Sequence, residues 1–577
     1  MSRVSNLTDR QLLTWLEHQL APGVPTNNMI ATFRIRLATE LDGPRFQRAF
    51  ASVVRRSDGL RTVFEPVRGG ARQSVRDDLE GELELVDLSG RRDADAALRA
   101  WVDERRQRSF ALDERVFDAA LLRLGRRDVA WYLAIHHLVT DASSFALIYR
   151  DTLETYLQGT EEPLPAFAEY RAHLARQRFT EPHAASAGFW QQRLAERLAP
   201  VRFYGRADPR TTSYSRRRTV TLGRARLEAL RRVSRERGGA LTADQSLAAA
   251  FIAVTMAFLH RVSGNRRLGV GTAVANRPSR RFRETIGLFM ELPQLRADLG
   301  EDETFASLLD EVRADLYRVL PHSRVCCSNP SRRPAFEVKL NFQTATFPSL
   351  LGPTHTELST GTTGFGDGLL PAGEGPATGE PLVISVHAFD DQAEPALSFD
   401  FNLGSFDRGA CDRAVSHYLR LLDACIANPR QAVRRVDLLS EGERRRLLID
   451  FNRTAAPRPS NVTVVELFET QARATPDAVA VRCGEHALTY AALARRVEAL
   501  AARLRRLGLQ VEDLVAVRVD RSIEMLVALL AIWKAGGAYV PLDPSHPQER
   551  GALILQDGRP RLLLTTRALQ PSLEVGA

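Results

Sequence analysis

The sequence predicts an α/β fold, and three observations carry that prediction. The run Val129–Ile135 (VAWYLAI) is almost wholly apolar and too short for a lone helix, so it reads as a strand covered on both faces. After Asp141, the residues Phe145, Ile148, Tyr149, Thr152, Leu153 and Tyr156 recur at helical spacing until Gly159, which can take the left-handed conformation that ends a helix. The alternation returns further along, where a strong helix through Leu247–Val262 precedes an extended Leu268–Arg277.

Taken in order, 12–20, 46–56 and 93–108 read as helices and 31–37 as a strand. The polar segment 181–186 opens a second α/β unit, so two lobes of similar size are expected at 1–178 and 179–440. A Gly/Pro/Thr-rich patch, 352–379, reads as a mobile surface loop interrupting the second lobe. Residues 441–460 carry charges and then Ala455-Ala456-Pro457-Arg458-Pro459-Ser460, which suits a linker. In the remaining 461–577, a helix over 490–507 places Leu493, Val497, Leu500, Leu504 and Leu507 on one face and stops at Gly508. Leu514–Val519 reads as a strand, and the chain ends before this unit reaches ordinary domain size.

A chain of 577 residues with 44% hydrophobic content fills the cores of three or four domains. No apolar stretch approaches the roughly 20 residues of a membrane span, and the start, MSRVSNLTDRQLLTW, has no signal-peptide pattern, so a cytoplasmic protein is expected. The five cysteines (326, 327, 411, 425 and 483) lack paired metal spacing and read as reduced thiols. The net charge of +9 raises nucleic-acid binding, but its distribution argues against it. Only Lys339 and Lys534 are lysines among 79 basic residues, and pairs such as Arg91-Arg92 and Arg126-Arg127 are scattered among acids, as a coding bias would leave them.

The chemistry concentrates in Ile135–Ser144, IHHLVTDASS: paired imidazoles leave the end of a buried strand, with Asp141, Ser143 and Ser144 as capping or first-turn residues of the next helix. Imidazole titrates near neutrality, so a histidine at the mouth of this turn can accept a proton from, or hydrogen-bond to, an attacking amine or hydroxyl. An acyl group arriving as an activated thioester needs no Cys or Ser nucleophile. Zinc is disfavoured because side chains of adjacent residues on an extended chain point apart, and no third ligand lies at the right spacing. One histidine is expected to turn into the protein and the other to a channel.

Together these pieces resemble a condensation domain of a nonribosomal peptide synthetase joined to the beginning of an adenylation domain. IHHLVTDASS is similar to the His-His-x-x-x-Asp-Gly signature, and Arg56–Phe64 (RSDGLRTVF) to the early Arg-His-Glu-x-Leu-Arg-Thr-x-Phe element. Ile286–Arg296 (IGLFMELPQLR) resembles the Gly-x-Phe-Val-Asn motif, and Leu7–Trp15 the opening motif. Leu488-Thr489-Tyr490 and Trp533–Asp543 (WKAGGAYVPLD) resemble adenylation domains, without the phosphate-cradling loop that follows there, so no ATP chemistry is expected. The resemblance implies two chloramphenicol-acetyltransferase-like lobes in a V arrangement, plus a partial adenylation α/β subdomain. It implies amide formation between a donor acyl thioester and a carrier-bound aminoacyl acceptor, the substrates arriving on phosphopantetheine arms of an upstream carrier, or coenzyme A, and a downstream peptidyl carrier. No covalently bound cofactor, metal, nucleic acid or membrane enters. His137 is the catalytic match, as base or as hydrogen-bond partner of the amine. His136 and Asp141 are structural matches, with Arg277 expected to pair with Asp141, and Ala142, Ser144, Met290 and Glu291 are expected along the channel.

Two departures bear on activity. Ala142 stands at the signature glycine and adds a methyl beside His137; Glu291 stands at the motif asparagine, where it orients a polar substrate or simply pairs with an arginine. Ser57-Asp58 in place of His-Glu reads as a structural variation. These departures support an alternative in which the domain modifies a bound chain or only organises partners. The opening methionine suggests a donor delivered in trans.

Overall fold

The apolar run 129–135 lies within a strand, Asp128–His136, whose residues pair on both sides. Trp131, Leu133 and Ile135 enter one hydrophobic cluster while Ala130, Tyr132 and Ala134 enter another, which is why the sequence shows no polar alternation here. The computed structural model describes residues 5–20, 22–25, 27–36, 39–68, 70–159, 161–205, 214–236, 241–325, 336–343, 356–361, 369–371, 380–387, 395–457 and 461–569. They fall into two units, 1–446 and 447–577.

In the first unit, one sheet runs in the order Thr356–Gly361, Asn28–Arg36, Asp128–His136, Phe117–Gly125, Glu84–Asp87. Helices Gly43–Arg56 and Ala142–Gln158 pack together, and both supply residues to the cluster around Trp131. A second, mixed sheet runs Leu369–Pro371, Tyr214–Thr221, Ala396–Asn402, Leu382–His387, Val338–Gln343, Arg267–Thr272, Gln294–Asp298. Its core is built on the helix Ala243–Ser263, capped at its start by a reciprocal Thr242–Gln245 pair and ended by Gly264 in the left-handed region.

Several sequence expectations need correction. Helix Ala243–Ser263 is in fact long and apolar enough to span a bilayer by composition; it is instead the centre of the second core, with 78% of its most apolar window buried. Segment 352–379, expected as a loop, contains two strands among its described residues. Thr356–Gly361 pairs antiparallel with Asn28–Arg36 and so forms an edge of the first sheet, and Leu369–Pro371 pairs with Tyr214–Thr221. An existing sheet edge supplies their hydrogen bonds, so no apolar alternation marks them. The polar stretch 181–186 forms the first turns of a helix, Glu181–Ala195, with Pro182 in its first turn. Extended structure from Leu268 stops at Thr272 and gives way to a loop held by the bridge between Val274 and Glu291. The linker contains a short capped helix, Glu441–Arg445. Of the cysteines, 326 and 327 lie outside the described residues; Cys411 and Cys425 are buried free thiols, and Cys483 is an exposed one.

The second unit has a parallel three-stranded sheet with Leu514–Arg518 between Ala538–Pro541 and Leu562–Thr565, plus the hairpin Val479–Cys483 and His486–Thr489. Helix Tyr490–Arg506 buries Leu493, Val497, Ala501 and Leu504 against helix Ile523–Ala535. Leu507, expected on that face, is exposed because it occupies the cap position before Gly508, where the chain turns at φ 86°.

Candidate active site

At the end of the buried strand the two histidines separate as extended backbone requires. His136 is almost wholly buried, and its Nδ1 accepts the Leu138 N–H at 3.2 Å. The proton therefore sits on Nε2, which is buried and has no hydrogen-bond partner among the described residues; the His18 ring lies edge-on with centroids 5.2 Å apart. Burial drives the His136 pKa well below its ordinary value, aided by His18 and His137. His137 is only partly buried, and its backbone N–H is held by the Asn27 carbonyl at 2.8 Å. Its Nδ1 lies 3.0 Å from the Thr140 carbonyl, an acceptor only, so Nδ1 carries the proton and Nε2 keeps its lone pair. Desolvation pushes the His137 pKa down to about 4, against the opposing Thr140 bond.

Asp141 is the N-cap of helix Ala142–Gln158, accepting the Ser144 N–H at 2.8 Å, and the helix ends at Gly159 with φ 69°. The same carboxylate reaches out of its own sheet layer. Oδ1 accepts from Arg277 Nη2 at 2.9 Å and Oδ2 from the Phe289 N–H at 3.1 Å, with both side chains of the ion pair almost fully buried. Arg277 also donates through Nη1 to the Phe282 and Thr285 carbonyls, and its guanidinium stacks 4.2 Å from the Phe289 ring centre.

Ser144, expected along the channel, is instead fully buried. Its Oγ accepts from Arg277 at 2.7 Å and from the Gly287 N–H at 3.0 Å and donates to the Gly287 carbonyl at 2.6 Å. The helix geometry explains this: the cap at Asp141 turns the third helical residue toward the 277–289 segment. Gly287 is required by close approach, since a Cβ there would lie 2.1 Å from the Phe167 ring. Ala142 opens the helix and is partly exposed, without positive φ, as is Met290 without a strand of its own. Glu291 is half-buried, its backbone paired with Val274 in both directions. Asp58 receives the Phe167 and Ala168 N–H groups at 2.7 and 2.8 Å, capping helix Phe167–Gln177, whose own Ala166 supplies no side-chain cap.

Sequence reasoning missed the roles of four residues. Gln11 bonds the Leu138 carbonyl at 2.9 Å, Phe289 supports Arg277, and Arg10 and Lys339 place positive charge near His137. Arg10 and Gln11 lie in the opening motif and Phe289 in the Ile286–Arg296 motif, so each had a local signal, whereas nothing local ties Lys339, on the strand Val338–Gln343, to His137.

Two mixed sheets with flanking helices, joined at a buried Asp–Arg–Ser junction with one neutral histidine at its edge, define an α/β fold of the condensation-domain type. The chain belongs to the condensation-domain family, which matches residues 1–448, and residues 468–576 match the AMP-binding enzyme family. A component of the linear gramicidin synthase of Brevibacillus parabrevis is 29% identical over 593 residues, covering 99% of this chain and 11% of that protein. Surfactin synthase subunit 1 of Bacillus subtilis is 27% identical, covering 93% of this chain and 15% of that protein. The chain thus spans a small fraction of these relatives. Among solved structures, a four-domain nonribosomal peptide synthetase bound to AMP and glycine superposes over 100% of this chain and 44% of that one, with a TM-score of 0.72 and 20% identity. The starter condensation domain of rhizomide synthetase, with C8-CoA and Leu-SNAC, covers 76% of this chain with a TM-score of 0.64 and 21% identity. The likenesses to solved structures concern the fold.

Proposed function

We propose that residues 1–446 form an amide bond between a donor acyl thioester and a carrier-bound aminoacyl acceptor, with His137 acting on the acceptor amine. The observation that carries this reading is the Nδ1–Thr140 contact, which leaves Nε2 of a neutral imidazole as a hydrogen-bond acceptor. The amine attacks the thioester carbonyl carbon, the C–S bond breaks, and the ammonium proton of the attacking nitrogen passes toward Nε2 and on to the departing thiolate. General-base assistance is worth about 10²–10⁴ in rate, and alignment of the two thioesters can supply more.

In this reading 1–178 and 179–440 are the two lobes of a V, 441–460 is the linker, and 461–577 belongs to an adenylation domain. His136 and Asp141 with Arg277 hold the turn, and Ala142, Met290 and Glu291 line the approach to His137. Phosphopantetheine arms of an upstream acyl or peptidyl carrier, or coenzyme A, bring the donor, and a downstream peptidyl carrier brings the acceptor, in the cytoplasm where such carriers work. The test is intact-protein mass spectrometry of the downstream carrier after a panel of acyl donors is offered. Extension that requires His137 supports the reading; extension unchanged in His137→Ala overturns it.

A further inference from the structure

Helix Asp9–Leu20 starts with a reciprocal cap: the Gln11 N–H donates to the Thr8 hydroxyl oxygen at 3.1 Å, and the Thr8 N–H donates back to Gln11 Oε1 at 3.1 Å. A cap of this kind uses only the side-chain oxygen of the third helical residue, so glutamate would serve it as well as glutamine. The amide nitrogen, which glutamate lacks, is engaged elsewhere. Gln11 Nε2 donates to the Leu138 carbonyl at 2.9 Å and to Gln73 Oε1 at 3.3 Å. Gln73 Nε2 donates back to Gln11 Oε1 at 2.9 Å and to the Asn6 carbonyl at 3.1 Å. Both side chains are buried, Gln11 completely. Each amide thus has an acceptor for both of its N–H bonds, and a flipped Gln11 would set its oxygen against the Leu138 carbonyl, so the network admits one orientation.

Gln73 is itself anchored. It lies on strand Gly70–Val75, where Asn6 accepts its backbone N–H at 2.8 Å and donates to its carbonyl at 3.0 Å. Helix and strand approach so closely that a Cβ on Gly70 would lie 2.7 Å from the Leu12 side chain. What this assembly grips is the turn that carries the histidine pair. Leu138 is fully buried just past the end of strand Asp128–His136, and its N–H goes to His136 Nδ1 at 3.2 Å. Its carbonyl has no backbone donor among the described residues, and the Gln11 amide satisfies it. The His137 ring is then placed by its own backbone N–H on the Asn27 carbonyl and by Nδ1, 3.0 Å from the Thr140 carbonyl. That second contact closes across Leu138 and Val139, so its length depends on where the Leu138 peptide is held.

We propose that Gln11, backed by Gln73, is a positioning residue for His137: its amide fixes the Leu138 peptide, keeps the Thr140 carbonyl in reach of Nδ1, and so holds the ring as the Nδ1–H tautomer that presents an Nε2 lone pair to the acceptor amine. This rests on the amide-forming reading above and adds a residue to it. The experiment is proton–nitrogen NMR of the full chain labelled at the histidine ring nitrogens, with His137 assigned by its loss in His137→Ala. In wild type His137 reads as the Nδ1–H tautomer alone. In Gln11→Met, which keeps the side-chain length and has no donor, a second, Nε2–H population appears. Gln11→Asn, one methylene short of the carbonyl, reads the same way and serves where Gln11→Met folds poorly. Thr8→Ala weakens the same helix start but leaves the Gln11 amide on Leu138, and it keeps the wild-type pattern. A wild-type His137 pattern in both Gln11 variants overturns the proposal, and so does an equal tautomer shift in Thr8→Ala. In the carrier-loaded assay Gln11→Met lowers kcat by about tenfold or more, with the acceptor KM within about twofold of wild type. On the His137→Ala background the same change adds less than about twofold, and an undiminished further loss there overturns the assignment. Absence of product in wild type counts against amide formation, and the tautomer measurement still decides the role of Gln11.

Discussion

Arg277 donates to Asp141 at 2.9 Å across the junction of the two sheets, and the same guanidinium nitrogen donates to Ser144 one helical turn along. One carboxylate thereby serves as helix cap, ion-pair partner and acceptor for the Phe289 N–H. Removing one member of a buried ion pair strands the other, at about 3–5 kcal/mol. Asp141→Ala and Arg277→Ala should each lower stability by about that much in urea denaturation, with Asp141→Ala the worse because it also removes a cap worth about 1 kcal/mol. The double variant should cost well under the sum of the singles; full additivity would mean that the two residues do not act as a unit.

His137→Ala should reduce amide formation in a carrier-loaded assay by about 10²–10⁴ while leaving the urea midpoint close to wild type, because this ring is only partly buried and its backbone bond to Asn27 persists. His136→Ala should do the reverse. It empties a site that is almost wholly enclosed and removes the acceptor for the Leu138 N–H, so stability falls first and activity follows from it. Equal activity loss in both variants with no stability difference would contradict this division of labour.

The turn that carries both histidines was readable in the sequence because each of its parts is local. A two-face buried strand has an apolar run, the cap has an Asp three residues before the N–H it accepts, and the helix end has a glycine. The junction was readable only at Asp141 and Arg277, through a family resemblance. Ser144 looked like a channel residue because it follows the signature so closely in sequence, and only the fold brings Gly287 against it. The strand Thr356–Gly361 was lost for a related reason: its partner is the distant Asn28–Arg36, and a segment added to a waiting edge needs no pattern of its own.

Ser144→Ala separates the two roles considered for that residue. As a buried junction group, its loss leaves the Gly287 N–H and an Arg277 N–H short of an acceptor, which predicts a stability loss of about 1–3 kcal/mol. A channel residue would instead change KM with the denaturation midpoint unmoved. Gly287→Ala should be at least as damaging, because the added methyl meets the Phe167 ring at a distance no packing tolerates.

Acid should weaken the fold through the histidines before it charges either imidazole in the folded chain. An unfolded chain takes up a proton at His137 near the ordinary pKa of 6.5, whereas the folded chain resists until about pH 4. Between those values the unfolded state binds more protons, so stability is full above about pH 7 and falls as the pH drops toward 4. His136, held even more strongly neutral by burial, contributes with the same sign. Urea midpoints should therefore decline from about pH 7 to about pH 5, with a shallower decline in His137→Gln. Over the same range the imidazole stays neutral and competent, so the acid limb of the amide-forming rate should follow the acceptor's own α-amino group, about 7.7–8.0 when unperturbed. Replacing the acceptor by one with a lower amine pKa should move that limb to lower pH by the same amount. A limb fixed near the ordinary imidazole value of about 6.5 regardless of acceptor would mean that His137 titrates in the working range and that its burial is lost when the substrates bind.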